Sequence, residues 1–113
     1  MKTLIIGSRT FQDYPFLCQV LEDLSPSSVL SGGALGADSL AAIWAQQNHI
    51  PLQITKPDYN RFQRKAPLVR NKELVQKAEQ VIAFWNGTSS GTAHALCLAK
   101  KARLPCFIFW PSH

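Results

Sequence analysis

The feature that most constrains the fold is a glycine-rich stretch, Ser31–Asp38, which reads SGGALGAD. It follows the short apolar run Val29–Leu30 and precedes a helix-like segment that begins near Leu40. Glycines allow positive φ angles and let a ligand approach the main chain closely. The free N–H groups at the start of the helix favour an anion there. The stretch therefore predicts a phosphate-binding strand–loop–helix unit or, more simply, a tight turn in which Asp38 is a first-turn helix charge.

Composition predicts one globular domain spanning residues 1–113, because 46% of the residues are apolar and the length is enough for one core. The apolar runs are too short to cross a membrane. The N-terminal segment Met1–Gly7 is typical of a first strand rather than of a signal peptide, so we expect a cytoplasmic protein without a membrane partner.

The cysteines and histidines show no metal-ligand spacing. The cysteines lack a CxxC pair and lie in apolar segments, which predicts buried free thiols; they are Cys18, Cys97 and Cys106. The histidines are scattered along the chain; they are His49, His94 and His113. We therefore expect neither a metal nor a cofactor.

Short apolar runs alternate with amphipathic segments along the whole chain. Strands are expected at residues 4–6, 29–30, 51–55, 81–85 and 106–110. Helices are expected after Asp13, and at about 38–48, 67–78 and 91–102, whereas residues 56–66 are expected to be irregular. This alternation predicts an α/β, doubly wound, Rossmann-like sheet of about five mainly parallel strands flanked by about four helices.

Three loops of small residues follow three of the predicted strands: Gly7–Thr10, Ser31–Asp38 and Asn86–Thr92. In a doubly wound sheet, such loops open on the same edge, where ligands bind. The loops match neither GxGxxG nor GxxxxGK[ST], so they indicate a phosphate ligand without a dinucleotide fingerprint or a P-loop. The sequence thus predicts a nucleotide-sized ligand at the carboxyl edge of the sheet.

Half of the twelve basic residues lie in the segment 56–72, although the chain carries a net charge of only +5. This clustering indicates phosphate or nucleic acid as a partner, or simply a solvated charged loop. Tyr59 and Phe62 lie among these cations and could stack on bases or anchor the loop. Arg70 falls in the first turn of a predicted helix, where it opposes the dipole unless an anion lies nearby or Glu73 pairs with it.

The residues predicted to bind the ligand lie mainly on these loops and on the following helix. Arg9 and Arg70 can form forked bonds to phosphate, Asp38 can accept from a ribose hydroxyl, and Trp85 either stacks on a base or packs in the core. The full set is Gly7, Ser8, Arg9, Ser31, Gly32, Gly33, Gly36, Asp38, Arg70, Asn71, Trp85, Thr88, Ser89, Ser90, Gly91 and Thr92.

Four motifs occur in an order that resembles the YspA-type, YpsA-related branch of the SLOG superfamily: Gly7–Phe11, Ser31–Asp38, Pro67–Asn71 and Ile82–Thr92. The resemblance implies a Rossmann-like fold related to the "lonely guy" phosphoribohydrolases and to DprA-type single-stranded DNA binders. It further implies a nucleotide or nucleotide derivative, such as an ADP-ribose-like compound, as ligand, and a sensing or signalling role. A homo-oligomer is an expectation from the resemblance alone.

The chain departs from the phosphoribohydrolase pattern at the catalytic acid. Those enzymes carry Gly-Gly-x-Gly-Thr-x-Glu-Glu, and here the two acidic positions are occupied by His94 and Ala95. Asp38, Arg70 and Glu73 are the remaining candidates for catalysis. Ligand binding is therefore the primary expectation, nucleotide N-glycosidase activity the alternative, and single-stranded nucleic-acid binding the third.

Overall fold

Strands and helices alternate through residues 1–111, the part of the chain that the computed structural model describes. The strands are β1 (Lys2–Gly7), β2 (Ser28–Ser31), β3 (Leu52–Ile54), β4 (Gln80–Phe84) and β5 (Cys106–Phe109). The helices are α1 (Tyr14–Leu24), α2 (Ala37–Gln47), the one-turn α3 (Tyr59–Phe62), α4 (Ala66–Lys77) and α5 (Ser90–Lys101). His113 lies outside the described residues.

The five strands form one sheet in the order β3-β2-β1-β4-β5, and every pair is parallel. β1 is central, and its Gly7 pairs with Phe84 of β4. The predicted α/β class and parallel arrangement are confirmed, and the sheet is parallel throughout rather than mainly so. Each crossover carries a helix, because parallel neighbours need a long connection.

Two apolar cores cover the two faces of the sheet, because alternate residues of the strands point to opposite sides. Ile5 and Ile82 face α1 and α2, where they pack against Leu17, Leu21 and Trp44. Leu4 and Ile6 face α4 and α5, where they pack against residues that include Leu74, Val75 and Leu96. This packing holds the parallel strands in place, with their carboxyl ends along one edge of the sheet.

Local signals in the sequence explain the helix starts. Asp13 caps α1 by accepting a hydrogen bond from the N–H of Phe16, as its type and position predict. Pro67 occupies the first turn of α4, where its missing N–H costs nothing. The first turn of α4 lines the cleft described below. The position at which α4 begins therefore determines which of its side chains face that cleft.

The segment 56–66 is more ordered than its irregular composition predicts. Asp58 accepts from the N–H of Arg61 and caps α3, and Gln63–Lys65 continues as a 3-10 turn that leads into α4. A short side-chain cap and packing against α4 stabilise this turn, although no apolar periodicity predicts it.

The prediction of buried thiols is wrong for Cys97, which is exposed on α5, whereas Cys18 and Cys106 are half-buried and all three are free. The helix places Cys97 on its outer face, although its sequence neighbours are apolar. None of the helices among residues 1–111 is long and apolar enough to span a bilayer.

Candidate functional site

The order of the strands reverses between β1 and β4. From β1 the chain adds β2 and β3 on one side of the sheet, and it then returns to add β4 and β5 on the other side. Ligands of open α/β sheets bind outside the carboxyl ends of the strands at such a point. A cleft of about 270 Å³ lies there. We call it the switch-point cleft.

All three small-residue loops contribute to the switch-point cleft, together with the first turns of α4. Ten of the residues predicted to bind ligand line it: Gly7, Arg9, Gly32, Asp38, Arg70, Asn71, Ser89, Ser90, Gly91 and Thr92. The rest of the lining is largely apolar: Ile6, Ala34, Pro67, Leu68, Leu74 and Ala95. The wall thus combines two arginines, one carboxylate and several hydroxyls with an apolar side.

Two larger hollows, of about 440 and 460 Å³, lie beside β5 and at the start of α1. The first is lined mainly by apolar side chains of α5 and β5, and the second by Phe11, Trp110 and the Thr10–Pro15 loop. Neither is lined by the small-residue loops Ser31–Asp38 and Asn86–Thr92. The smaller cleft is therefore the better candidate, because topology and polar groups coincide there.

Arg70 crosses from α4 to the loop after β2. Its Nη1 donates to the carbonyl oxygen of Gly32 at 2.7 Å, and its Nε donates to Oδ1 of Asn71 at 2.9 Å. Glu73, the alternative partner, instead lies 3.9 Å from Nζ of Lys77 on an exposed face of α4. The guanidinium is thus fixed at the cleft wall although it opposes the dipole of α4.

Because Gly32 has no side chain, Arg70 and Asp38 can occupy the space next to its Cα. A Cβ atom at Gly32 would lie 2.5 Å from Nη1 of Arg70 and 3.0 Å from Oδ2 of Asp38. A side chain here would displace the guanidinium, because the cation and the carboxylate both lie close to the position that a Cβ would take. Glycine at position 32 is therefore favoured by the packing of these two side chains.

Asp38 is a buried carboxylate in the first turn of α2, with 5% of its surface exposed. Its Oδ2 accepts from the N–H of Ala34 at 3.3 Å. Burial raises the pKa of Asp38 from 3.8 to about 6, while the hydrogen bond from Ala34, the charge of Arg70 and the backbone of Gly32 oppose the rise. The cleft therefore contains a carboxyl group that titrates near neutral pH.

The N-terminus of α5 forms the opposite wall. Its N-cap residue is Ser89, whose side chain makes no capping bond to the helix, and Ser90, Gly91 and Thr92 follow in the first turn. The first N–H groups of a helix have no intrahelical acceptor. A Cβ at Gly91 would meet nothing within 4 Å, so the space in front of this turn is open.

The loops are held to one another behind the cleft. Oγ of buried Ser8 donates to Oδ1 of Asn86 at 3.1 Å and accepts from the N–H of Asn86 at 3.3 Å. Gly36 has a φ of +78°, and a Cβ there would lie 2.3 Å from the carbonyl oxygen of Ser8. The loops after β1, β2 and β4 thus support each other directly.

The other six predicted binding residues lie outside the lining: Ser8, Ser31, Gly33, Gly36, Trp85 and Thr88. Ser8 and Ser31 are buried, and the Ser31 hydroxyl accepts from the N–H of Gly33. Trp85 donates from Nε1 to the carbonyl of Ser89 at 3.1 Å, and its ring lines the hollow beside β5. In this position Trp85 supports the loop after β4, and its ring packs beside β5 and does not line the switch-point cleft.

The sequence pattern places His94 at an acidic position of the phosphoribohydrolases, but its contact at the cleft was not predicted, nor was the apolar side of the cleft. His94 lies on α5 with Nδ1 3.2 Å from Nδ2 of Asn71, and nothing in the spacing of the histidines indicates this contact. Pro67 and Leu68 form the apolar side. Their position in the first turn of α4, directly before Arg70, was the available signal. Among residues 1–111, no group of three or more His, Cys, Asp or Glu could hold a metal ion.

The chain is similar in sequence to a protein family and to a phage protein. The profile of the YspA, cpYpsA-related SLOG family matches residues 1–62. The chain is 34% identical to the Gene 61 protein of Mycobacterium phage D29 over 119 aligned residues, which cover 96% of this chain and 95% of that protein.

A solved structure of DNA processing protein A from Helicobacter pylori, described for its single-stranded DNA binding mode, has a TM-score of 0.70. It is 23% identical, and the match covers all of this chain but only 66% of that one. At this level of identity, the likeness shows a shared fold.

Proposed function

The chain belongs to the YspA, cpYpsA-related SLOG family, and from this premise we propose that it binds a nucleotide or nucleotide derivative in the switch-point cleft, in a sensing or signalling role. The observation that carries the proposal is the fixed guanidinium of Arg70. A guanidinium has five N–H donors. Counting partners within residues 1–111, two of the five are engaged, which leaves three for a phosphate.

The phosphate would lie between Arg70 and the N-terminus of α5. Free backbone N–H groups and the positive end of the dipole of α5 attract an anion, and the hydroxyls of Ser89 and Ser90 add donors, whereas the Thr92 hydroxyl donates to Oγ of Ser89. Arg9, which is exposed and lines the cleft, supplies a second cation. This combination of a forked cation with a helix terminus is typical of phosphate recognition.

The remaining walls suit the rest of a nucleotide. The carboxylate of Asp38 would accept from a ribose hydroxyl, and it lies on the same side of the cleft as Arg70. Pro67 and the half-exposed Leu68 offer an apolar surface to a base. A cleft of about 270 Å³ is near the lower limit for small-molecule sites, which favours mononucleotide-sized groups.

The test is calorimetric titration with AMP, ADP-ribose and NAD at moderate salt. We expect at least one to bind, and Arg70→Ala to weaken binding by about 10- to 100-fold, because a hydrogen bond to a charged group contributes about 1.5–3 kcal/mol. Arg70→Lys keeps the charge but loses the fork and should recover only part of the affinity. Arg64→Ala, which removes an exposed cation outside the cleft, is the matched control and should bind normally. The proposal fails if no nucleotide binds at millimolar concentration.

A second candidate is nucleotide N-glycosidase activity, favoured by the buried carboxyl of Asp38 in the cleft wall. In this reaction, water adds to C1′ of the ribose while the base leaves with a proton, and a carboxylate with a pKa near the working pH can accept the proton of the water. Chromatography of AMP after long incubation would reveal adenine and ribose 5-phosphate. Intact AMP with wild-type protein, or equal turnover by Asp38→Asn, would exclude this role for Asp38.

Single-stranded nucleic acid is a third candidate, favoured by a cationic surface next to the cleft. Arg61, Arg64 and Lys65 are exposed between β3 and α4, and Tyr59 is 58% exposed among them. The guanidinium of Arg61 lies 5.1 Å from the ring centroid of Phe62. Cations interleaved with aromatic rings bind single strands by charge and stacking.

A further inference from the structure

Three side chains connect α4 to α5 behind the phosphate position. Oδ1 of Asn71 accepts from Nε of Arg70 at 2.9 Å, and Nδ2 of Asn71 lies 3.4 Å from the carbonyl oxygen of Gly91 and 3.2 Å from Nδ1 of His94. Asn71 is 6% exposed, so water does not readily replace these partners. The connection from His94 through Asn71 to Arg70 is the Arg70 support chain.

The chemistry of the partners fixes the direction of every hydrogen bond in the Arg70 support chain. A guanidinium only donates, so the amide oxygen of Asn71 must face Arg70 and its NH₂ group must face α5. The NH₂ group then donates to Nδ1 of His94, and Nδ1 can accept only if it carries no proton. His94 in this arrangement is therefore neutral, with its hydrogen on Nε2.

We propose that Asn71 and His94 are positioning residues, which hold the guanidinium of Arg70 in the orientation that presents its remaining donors to the ligand's phosphate. The functional consequence rests on the proposed function, whereas the hydrogen-bond directions do not. Neither residue needs to react with the ligand, because each acts through Arg70.

The physical reason is the entropy of a long side chain. An unrestrained arginine loses rotamer freedom when it orders on a ligand, and this loss weakens binding. Here the Gly32 carbonyl holds one end of the guanidinium and Asn71 holds the other before any ligand arrives. Asn71 also contacts the first turn of α5 at Gly91, so the support chain sets the spacing of the two walls.

Nitrogen-15 NMR of the histidine rings at pH 8 tests the chain without a ligand. His94→Gln assigns the signal. We expect the Nε2–H tautomer in wild type and a change to a protonated Nδ1 in Asn71→Asp, because the second carboxylate oxygen of the new side chain accepts where the NH₂ group donated. A mere packing role of Asn71 would not reverse the tautomer. An Nδ1–H tautomer in wild type, or a ring signal that Asn71→Asp leaves unchanged, would overturn the assignment.

Titration with AMP tests the consequence for binding. Asn71→Leu keeps the volume but removes the hydrogen bonds to Arg70, Gly91 and His94, and we expect about tenfold weaker binding with a folded protein by circular dichroism. His94→Gln can still accept from Asn71 and should bind AMP within about threefold of wild type, whereas His94→Leu should resemble Asn71→Leu. Lys72→Ala, the exposed neighbour on α4, is the control and should bind like wild type.

The two proposals fail in different ways. If AMP, ADP-ribose and NAD all fail to bind wild type, the proposed function is wrong, and the NMR result still decides the support chain. If a nucleotide binds wild type and Asn71→Leu with equal affinity, the positioning role is wrong and the proposed function stands. If Asn71→Leu is unfolded, the pair of His94 variants decides the positioning role.

Discussion

The guanidinium of Arg70 and the carboxylate of Asp38 approach the same glycine from different elements, since α4 provides the cation and α2 the anion. Arg70 donates to the carbonyl oxygen of Gly32 at 2.7 Å, and the missing Cβ of Gly32 would lie 3.0 Å from Oδ2 of Asp38. Cation and carboxylate thus lie near each other without forming a salt bridge. Each keeps polar atoms for a third group, and the phosphate and hydroxyl groups of the proposed nucleotide would use them.

Gly32→Ala tests this arrangement with one methyl group. The new Cβ would lie 2.5 Å from Nη1 of Arg70, so the guanidinium must move and lose its bond to the Gly32 carbonyl. We expect a loss of about 1–2 kcal/mol in the free energy of unfolding, because the displaced guanidinium loses this hydrogen bond, and at least tenfold weaker AMP binding. Urea unfolding and calorimetric titration measure the two effects.

Gly91→Ala is the matched control for stability, because its Cβ would meet no atom within 4 Å. Alanine is the better helix former, so we expect equal or slightly higher stability. The same methyl group would project into the open space before α5, and AMP binding should weaken if the phosphate lies against this turn. If Gly32→Ala is as stable and binds as well as wild type, the crowding at Gly32 does not matter in solution.

Much of the fold could be predicted because the signals are local. Apolar runs such as Val81–Phe84 alternate with helix-like segments, and each loop of small residues follows a strand. The parallel topology then follows from general rules of connection, which place those loops at one edge. Arg70 was identified because a cation in the first turn of a helix opposes the helix dipole, which is unfavourable unless an anion lies nearby.

The rest depends on contacts between residues that are distant in sequence. Nothing around His94 indicates that it faces Asn71, because that contact arises from the packing of α5 against α4. The side of the loop on which Trp85 lies is likewise set by β5, which follows it by more than twenty residues. The order within 56–66 escaped prediction because one capping aspartate and packing on α4 replace the usual periodicity.

Asp38→Asn should stabilise the protein at pH 7. The pKa of Asp38 is raised from 3.8 to about 6 in the folded protein, so between these values the folded state binds the proton more tightly than the unfolded chain does. The contribution of Asp38 to stability therefore falls as pH rises from about 4 to about 6, and then stays constant. At pH 7 the ionised carboxylate costs up to about 2–3 kcal/mol, which asparagine would recover.

Urea unfolding of both proteins at pH 4, 5, 6 and 7 measures this linkage. The difference in the free energy of unfolding between Asp38→Asn and wild type should grow over that range, whatever other groups titrate. A difference that does not vary with pH would show that Asp38 is not desolvated. If Asp38→Asn is more stable than wild type but binds AMP more weakly, the carboxylate contributes to ligand binding and lowers the stability of the fold.

Ser8→Ala should loosen the loop after β4 without touching the cleft lining. The Ser8 hydroxyl bonds twice to Asn86, and Oδ1 of Asn86 in turn accepts from the N–H and hydroxyl of Thr88. Removing the hydroxyl takes away a partner of the partly buried N–H of Asn86 and should cost about 1 kcal/mol. Amide hydrogen exchange should become faster at residues 86–88. Unchanged exchange there would mean that the bonds around Asn86 do not order the loop.

Arg61→Ala and Arg64→Ala separate nucleic-acid binding from nucleotide binding. If single-stranded DNA binds along α3 and the 3-10 turn, the logarithm of its affinity should fall linearly with the logarithm of salt concentration, with a slope of about −0.7 per phosphate contacted. The double variant should reduce the magnitude of that slope by about 1.4 if each arginine contacts one phosphate. Its affinity for AMP should not change, because neither residue lines the cleft.

Fluorescence anisotropy of a labelled oligonucleotide from 50 to 300 mM salt provides the measurement. A slope that the double variant shares with wild type would exclude this surface, and a slope that Arg70→Ala alone reduces would place the strand in the switch-point cleft.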